Sequence, residues 1–123
     1  MKATQAKVLV VEDSTLVGDA LRILLEDAGY TVFIAPTVAE AVTRASETPI
    51  DVMLLDLSLP DGNGLDVMNS LREGVALPRA TLAMSGHNDS AIRRACLEAG
   101  CVDLLVKPVP IAELLRQIEH HLA

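Results

Sequence analysis

Five short apolar stretches, each followed by a segment of helical spacing, limit this chain more than any other feature. Val8-Leu-Val-Val11 is the first and Tyr30 to Ala35 contains the second. Val52-Met-Leu-Leu55, Thr81-Leu-Ala-Met84 and Leu104-Leu-Val106 follow. The 52–55 run has no polar alternation, which marks a strand buried on both faces. Ser14 reads as the N-cap of a helix to about Ala28. Its expected core face is Leu16, Val17, Ala20, Leu21, Leu24, Leu25 and Ala28, with Gly29 as a left-handed stop. Thr37-Val-Ala-Glu40 reads as a capping box for a helix to about Ser46, ended by Thr48-Pro49. A third helix is expected from near Leu65 to before Gly74, and Leu77-Pro78 marks a loop. A fourth is capped by Asn88 or Asp89 and stopped by Gly100. A fifth has Pro110 in its first turn and reaches Leu122. Strand–helix alternation repeated five times predicts a parallel sheet covered on both faces, in one domain spanning 1–123.

Composition removes several classes of function. Half the residues are hydrophobic, yet only Tyr30 and Phe33 are aromatic, so the core is aliphatic. A formal charge of −7 argues against direct nucleic-acid binding, which needs clustered Lys and Arg. No apolar run approaches the roughly 20 residues of a membrane span. Met1-Lys-Ala-Thr-Gln-Ala has no apolar leader region, so a cytoplasmic protein without membrane contact is expected. Cys96 and Cys101 lack C-x-x-C spacing and any partners for a zinc site. They read as a redox pair or, preferably, as two reduced small hydrophobes flanking a helix end.

The chemistry gathers at the C-terminal ends of the strands. Asp56, just after the third run, has three readings of its own: metal ligand, nucleophile or helix cap. In a parallel sheet these ends share one rim, where ligands bind. Glu12, Asp13, Asp56, Ser85 and Lys107 therefore converge there. Three carboxylates raise one another's pKa unless a cation sits among them. Magnesium suits a site with few carboxylates and several waters. Lys107 brings a second positive charge, and the Ser85 hydroxyl can donate to an oxyanion. A cation, a lysine and a hydroxyl around a free carboxylate are the equipment for phosphoryl transfer onto it.

Over essentially its whole length the chain resembles a receiver domain of the two-component response-regulator family. Val8-Leu-Val-Val-Glu12-Asp13 resembles the acidic first-strand motif. Asp56-Leu-Ser-Leu-Pro60-Asp-Gly-Asn-Gly64 resembles the phospho-acceptor segment, Met84-Ser85-Gly86 the switch-hydroxyl motif, and Lys107-Pro108 the lysine motif. The resemblance implies a flavodoxin-like (βα)5 three-layer sandwich with strand order 2-1-3-4-5. It implies that Asp56 takes a phosphoryl group from the phosphohistidine of a histidine kinase or histidine phosphotransfer protein. Magnesium, or manganese in its place, is then held by Asp13, Asp56 and the Ser58 backbone carbonyl, with Glu12 acting directly or through water. Lys107 contacts the phosphoryl group, and the Lys107–Pro108 bond is cis. Ser85 moves towards the phosphoryl group and shifts a pre-existing equilibrium. Ser58 and His87 tune the rate of dephosphorylation. Output passes to a downstream protein or a covalently linked output domain, and the face of the last helix is a surface for a partner or a second copy.

Three positions depart from the family pattern. The switch aromatic before the lysine is Leu104, the residue after the switch hydroxyl is Gly86, and Val109 stands where Phe is frequent. Gly86 implies a looser loop, and Val109 an effect on packing alone. Competing readings fare worse. An aspartyl-nucleophile phosphatase needs an acid two residues after Asp56, where Ser58 stands. A dinucleotide site needs G-x-G-x-x-G after the first strand, where Glu12-Asp13 would repel phosphate. A receiver that no longer takes phosphate is opposed by the five retained residue types. Asp61 reads as a turn residue, and His120 and His121 as favourable charge at a helix end.

Overall fold

The strand-forming runs are apolar at successive positions because both of their faces are covered. The computed structural model describes residues 6–74, 77–87 and 89–123. Its elements are β1 (Lys7–Val11), α1 (Thr15–Asp27), β2 (Thr31–Ala35), α2 (Val38–Glu47), β3 (Val52–Asp56), α3 (Leu65–Gly74), β4 (Ala80–Ser85), α4 (Ser90–Ala99), β5 (Asp103–Val106) and α5 (Ile111–Leu122). A small antiparallel ladder, Ser58–Leu59 against Gly62–Asn63, lies between β3 and α3. The main sheet is parallel in the order β2-β1-β3-β4-β5, as expected. The order runs outward from β1 to β2 and then returns past β1 to β3. The chain ends of β1 and β3 therefore flank the crevice where an open α/β sheet binds its ligands.

Alternate strand residues build two cores. Leu9, Val11, Met53, Leu55, Ala83 and Leu104 face α2, α3 and α4, through Ala41, Ala45, Val67, Met68, Leu71 and Cys96. Val8, Val10, Val52, Leu54, Leu82 and Met84 face α1 and α5, through Leu25, Leu114 and Ile118. Two registers on one sheet make three layers.

The expected core face of α1 is corrected. Leu16 is 81% exposed, Val17 and Leu24 are each 43% exposed, and Ala20 is also exposed. Gly18 and Leu25 are the buried positions, with Leu21 and Ala28 packed beside them. A Cβ on Gly18 would lie 3.6 Å from Ile34, so the helix sits close to the sheet along the 18-21-25-28 line. That line is rotated from the richest apolar stripe. The surplus stripe, which also includes Ile23, faces outward.

Helix starts agree with the sequence in most places. Ser14, Thr37 and Asp89 accept from Val17 N, Glu40 N and Ile92 N. Asn88, the other expected cap of α4, lies outside the described residues, as do residues 1–5. Pro110 stands just ahead of α5 rather than in its first turn. Asp61 is more than a turn residue. Its carboxylate accepts from Val38 N at 2.8 Å and Ala39 N at 3.2 Å. A carboxylate from the β3–α3 connection is thus added to the Thr37 hydroxyl at the start of α2. These amide bonds, Val38 foremost, hold the Asp61 carboxyl below the usual range. Asp61→Ala is expected to speed hydrogen exchange at the Val38 and Ala39 amides while exchange in β1 and β3 stays unchanged.

Candidate functional site

Strand continuation places the first acid. Glu12 N–H donates to Ala35 O at 3.0 Å, so Glu12 extends the β1–β2 ladder by one residue. Its side chain is then held over the sheet rim, where it is 5% exposed, and accepts from Ser14 N at 3.1 Å. Asp56 is the last residue of β3 and is 4% exposed. One of its oxygens accepts from Ser58 N at 3.0 Å and the other from Lys107 Nζ at 2.8 Å. Lys107 is held in turn by its own N–H, which donates to Ser85 O at 2.8 Å. Its ammonium also lies 3.9 Å from Glu12 Oε1. Asp13 is exposed, and one oxygen each from Glu12, Asp13 and Asp56 lie within 4.8 Å of one another. Glu12, Asp13, Asp56, Ser58 and Lys107 all line one cleft of about 760 Å³.

One lysine faces three acids, so negative charge is in excess. Burial pushes the Glu12 carboxyl above its usual range, and the charge of Asp56 adds to the rise. The Ser14 amide and Lys107 pull it back without cancelling it. Clustered oxygen donors of this kind, one of them at the solvent edge, fit a hard divalent cation that keeps several waters. Proton and cation would then compete. Magnesium is expected to bind more weakly as pH falls through the raised Glu12 pKa, with proton release on binding. Calorimetry in two buffers of different ionisation enthalpy reads that release. The stability sign follows from the same shift. The metal-free fold keeps a proton on Glu12 that the unfolded chain has lost, so raising pH between the two pKa values costs stability. Magnesium is expected to restore it.

The remaining predicted residues stand around this centre. Ser85 is 7% exposed, and its Oγ accepts from His87 N at 3.0 Å. Ser85, His87 and Leu104 do not line the cleft. His87 is exposed, whereas Leu104 is packed inside the α2–α4 core. The Lys107–Pro108 bond is cis. A Cβ on Gly86 would meet nothing within 4 Å, and its φ is not positive, so nothing around it demands glycine. Val109 does more than pack. It lines the cleft with Val17, Leu21, Met84, Pro108 and Leu114, giving the acidic mouth an apolar wall.

Sequence reasoning missed that wall, although the surplus of apolar residues on α1 was a readable signal. It also gave Gly64 no more than a place at the end of the phospho-acceptor segment. That residue starts the turn into α3, its N–H donating to Leu57 O at 3.0 Å. A Cβ there would overlap the Asp56 carbonyl oxygen and come within 3.0 Å of Leu57 Cα. The connection folds back this tightly on the strand end that carries Asp56.

Known proteins share this fold. Residues 8–119 match the family described as the response regulator receiver domain. The transcriptional regulatory protein KdpE of Mycobacterium tuberculosis is 40% identical over 111 residues, covering 90% of this chain and 48% of that protein. The chain thus spans about half the length of this curated relative. A CheY-like receiver domain from Methanospirillum hungatei superposes with a TM-score of 0.87 at 26% identity, covering 96% of this chain and 94% of the other. The receiver domain of a sensor histidine kinase from Pseudomonas aeruginosa superposes with a TM-score of 0.86 at 28% identity, covering 96% and 98%. That protein has a magnesium ion coordinated in its active-site cleft.

Proposed function

The chain belongs to the response regulator receiver domain family, and from that membership we propose that Asp56 is its phospho-acceptor. It is a signalling module of two-component systems. The supporting observation is the Lys107 ammonium 2.8 Å from the Asp56 carboxylate, beside two further acids at one rim. An Asp56 oxygen attacks the phosphorus of a phosphohistidine. The new O–P bond forms as the P–N bond breaks, and the imidazole leaves with the electron pair. Lys107 passes from the carboxylate to a phosphoryl oxygen. The Ser58 N–H keeps the carboxylate oriented. Glu12, Asp13, Asp56 and the Ser58 carbonyl would hold magnesium or manganese, which supplies neutralising charge to the phosphoryl oxygens.

Ser85 completes the switch by leaving the His87 amide for the phosphoryl group. With Leu104 already inside, no aromatic ring follows it, so the signal leaves through the β4–α4 loop and α4. Ser58 and His87 tune the loss of the phosphoryl group. Output goes to a downstream protein or to a covalently linked output domain, and the α5 face is a surface for a partner or a second copy. Among the described residues no helix is long and apolar enough to cross a membrane.

The phosphohistidine reaches Asp56 along the exposed stripe of α1. Val17 is both in that stripe and in the cleft wall, and Leu16 beside it is 81% exposed. An apolar helix face on the kinase or phosphotransfer protein fits it. Leu16→Asp is expected to slow transfer from a phosphohistidine protein at least tenfold and to leave labelling by a small acyl phosphate unchanged. The function itself is tested by incubating the chain with magnesium and an acyl phosphate and weighing it intact. One added phosphoryl group, lost on chelation, is expected. No gain with any donor would remove the acceptor reading.

A further inference from the structure

Cys96 and Cys101 meet at the joint between α4 and β5. The helix stops at Gly100, whose φ of 105° is left-handed. Gly100 N–H donates to Leu97 O at 3.1 Å and Cys101 N–H to Cys96 O at 3.0 Å. This pair of bonds is the Schellman ending, in which the residues joined by the bond that spans six residues frequently touch through their side chains as well. Here both of those residues are cysteines. They are 0% and 4% exposed and pack in the same core cluster. Covalent lengths added to the backbone bond keep the two Cα atoms within about 7 Å, the upper limit of the span a disulfide bridges. Neither thiol lines the acidic cleft, so the acceptor chemistry does not use them.

We propose that Cys96 and Cys101 form a reversible oxidation site that closes to an intramolecular disulfide when the chain meets a hydroperoxide. One thiol loses its proton, and its sulfur attacks the peroxide. An S–O bond forms, the O–O bond breaks, and the leaving oxygen takes a proton to depart as alcohol or water. The second sulfur then displaces the hydroxyl as water, so the S–S bond forms as the S–O bond breaks. The two thiols give up two electrons, and the peroxide receives them. A dithiol reductant reverses the change.

Burial pushes both thiols up, Cys101 to about 12, so the closed joint holds them protonated and slow. Reaction therefore follows local opening of the surface turn, where Gly100 and Val102 are already exposed. The bond would tie the end of α4 to the approach of β5, the strand that leads to Lys107.

The test uses the reduced full chain treated with hydrogen peroxide. Intact mass, alkylation after unfolding and peptide mapping are read together. Expected are a monomer lighter by two hydrogens, loss of both alkylatable thiols together, a Cys96–Cys101 linked peptide, and full reversal by dithiothreitol. Cys96→Ser should lose the two-hydrogen change and collect oxygen on Cys101 instead. Two thiols still alkylatable after unfolding would overturn the proposal. So would covalent dimers, or stable oxygen adducts on the wild-type chain in place of the linked peptide.

Discussion

Asp56→Asn is expected to take phosphoryl uptake from one group per chain to none, with the fold intact. The amide keeps the shape of the side chain but lacks the anionic oxygen that attacks phosphorus. It also removes one of three clustered carboxylates. The Lys107 bond at 2.8 Å is weakened, yet Lys107 is not stranded. Its side chain is 38% exposed and keeps Glu12 at 3.9 Å. Relief of repulsion among the acids works in the opposite direction. The net change in stability is therefore small, within about 1 kcal/mol for a partly solvated pair. Urea unfolding of the variant beside intact-mass labelling separates the two effects. Labelling that persists at wild-type level would assign the acceptor elsewhere.

Gly64→Ala is expected to have the largest effect on stability. The added methyl group meets backbone, not a mobile side chain: the Asp56 carbonyl oxygen overlaps it, and Leu57 Cα and the Asp56 carbonyl carbon lie at 3.0 and 3.1 Å. Overpacking against a buried strand end costs about 3 kcal/mol, and Tm should fall by on the order of 10 °C for a domain of this size. The same displacement moves Asp56, so magnesium affinity and phosphoryl uptake should fall with it. Gly86→Ala is the matched control, because the space around Gly86 is open. Equal melting temperatures for the two variants would contradict the close turn described here.

These two glycines show where sequence reading stops. Both sit in loops at strand ends, and both look like turn residues. One is required by backbone from eight residues earlier and the other by nothing nearby, and only three-dimensional contact separates them. Strands and most helix caps were legible because they rest on local rules: apolar runs, hydroxyl or carboxylate caps, a left-handed glycine. The convergence of Glu12, Asp13, Asp56 and Lys107 was legible because parallel topology carries strand ends to one rim. The buried face of α1 was not. Its apolar residues cover too much of the helix for all to be buried, and the choice was made by Gly18 against Ile34 in a different strand. Asp61 was misjudged for the same reason, since the amides it caps are 22 and 23 residues away.

The central claim is that Asp56 carries the phosphoryl group, and chemical trapping tests it most directly. The chain is labelled with an acyl phosphate and magnesium, then reduced with borohydride, which converts an aspartyl phosphate to homoserine. Peptide sequencing by mass should find homoserine at position 56, dependent on magnesium and absent without the donor. Homoserine at another aspartate, or phosphate that survives borohydride on a hydroxyl or imidazole, would contradict the account.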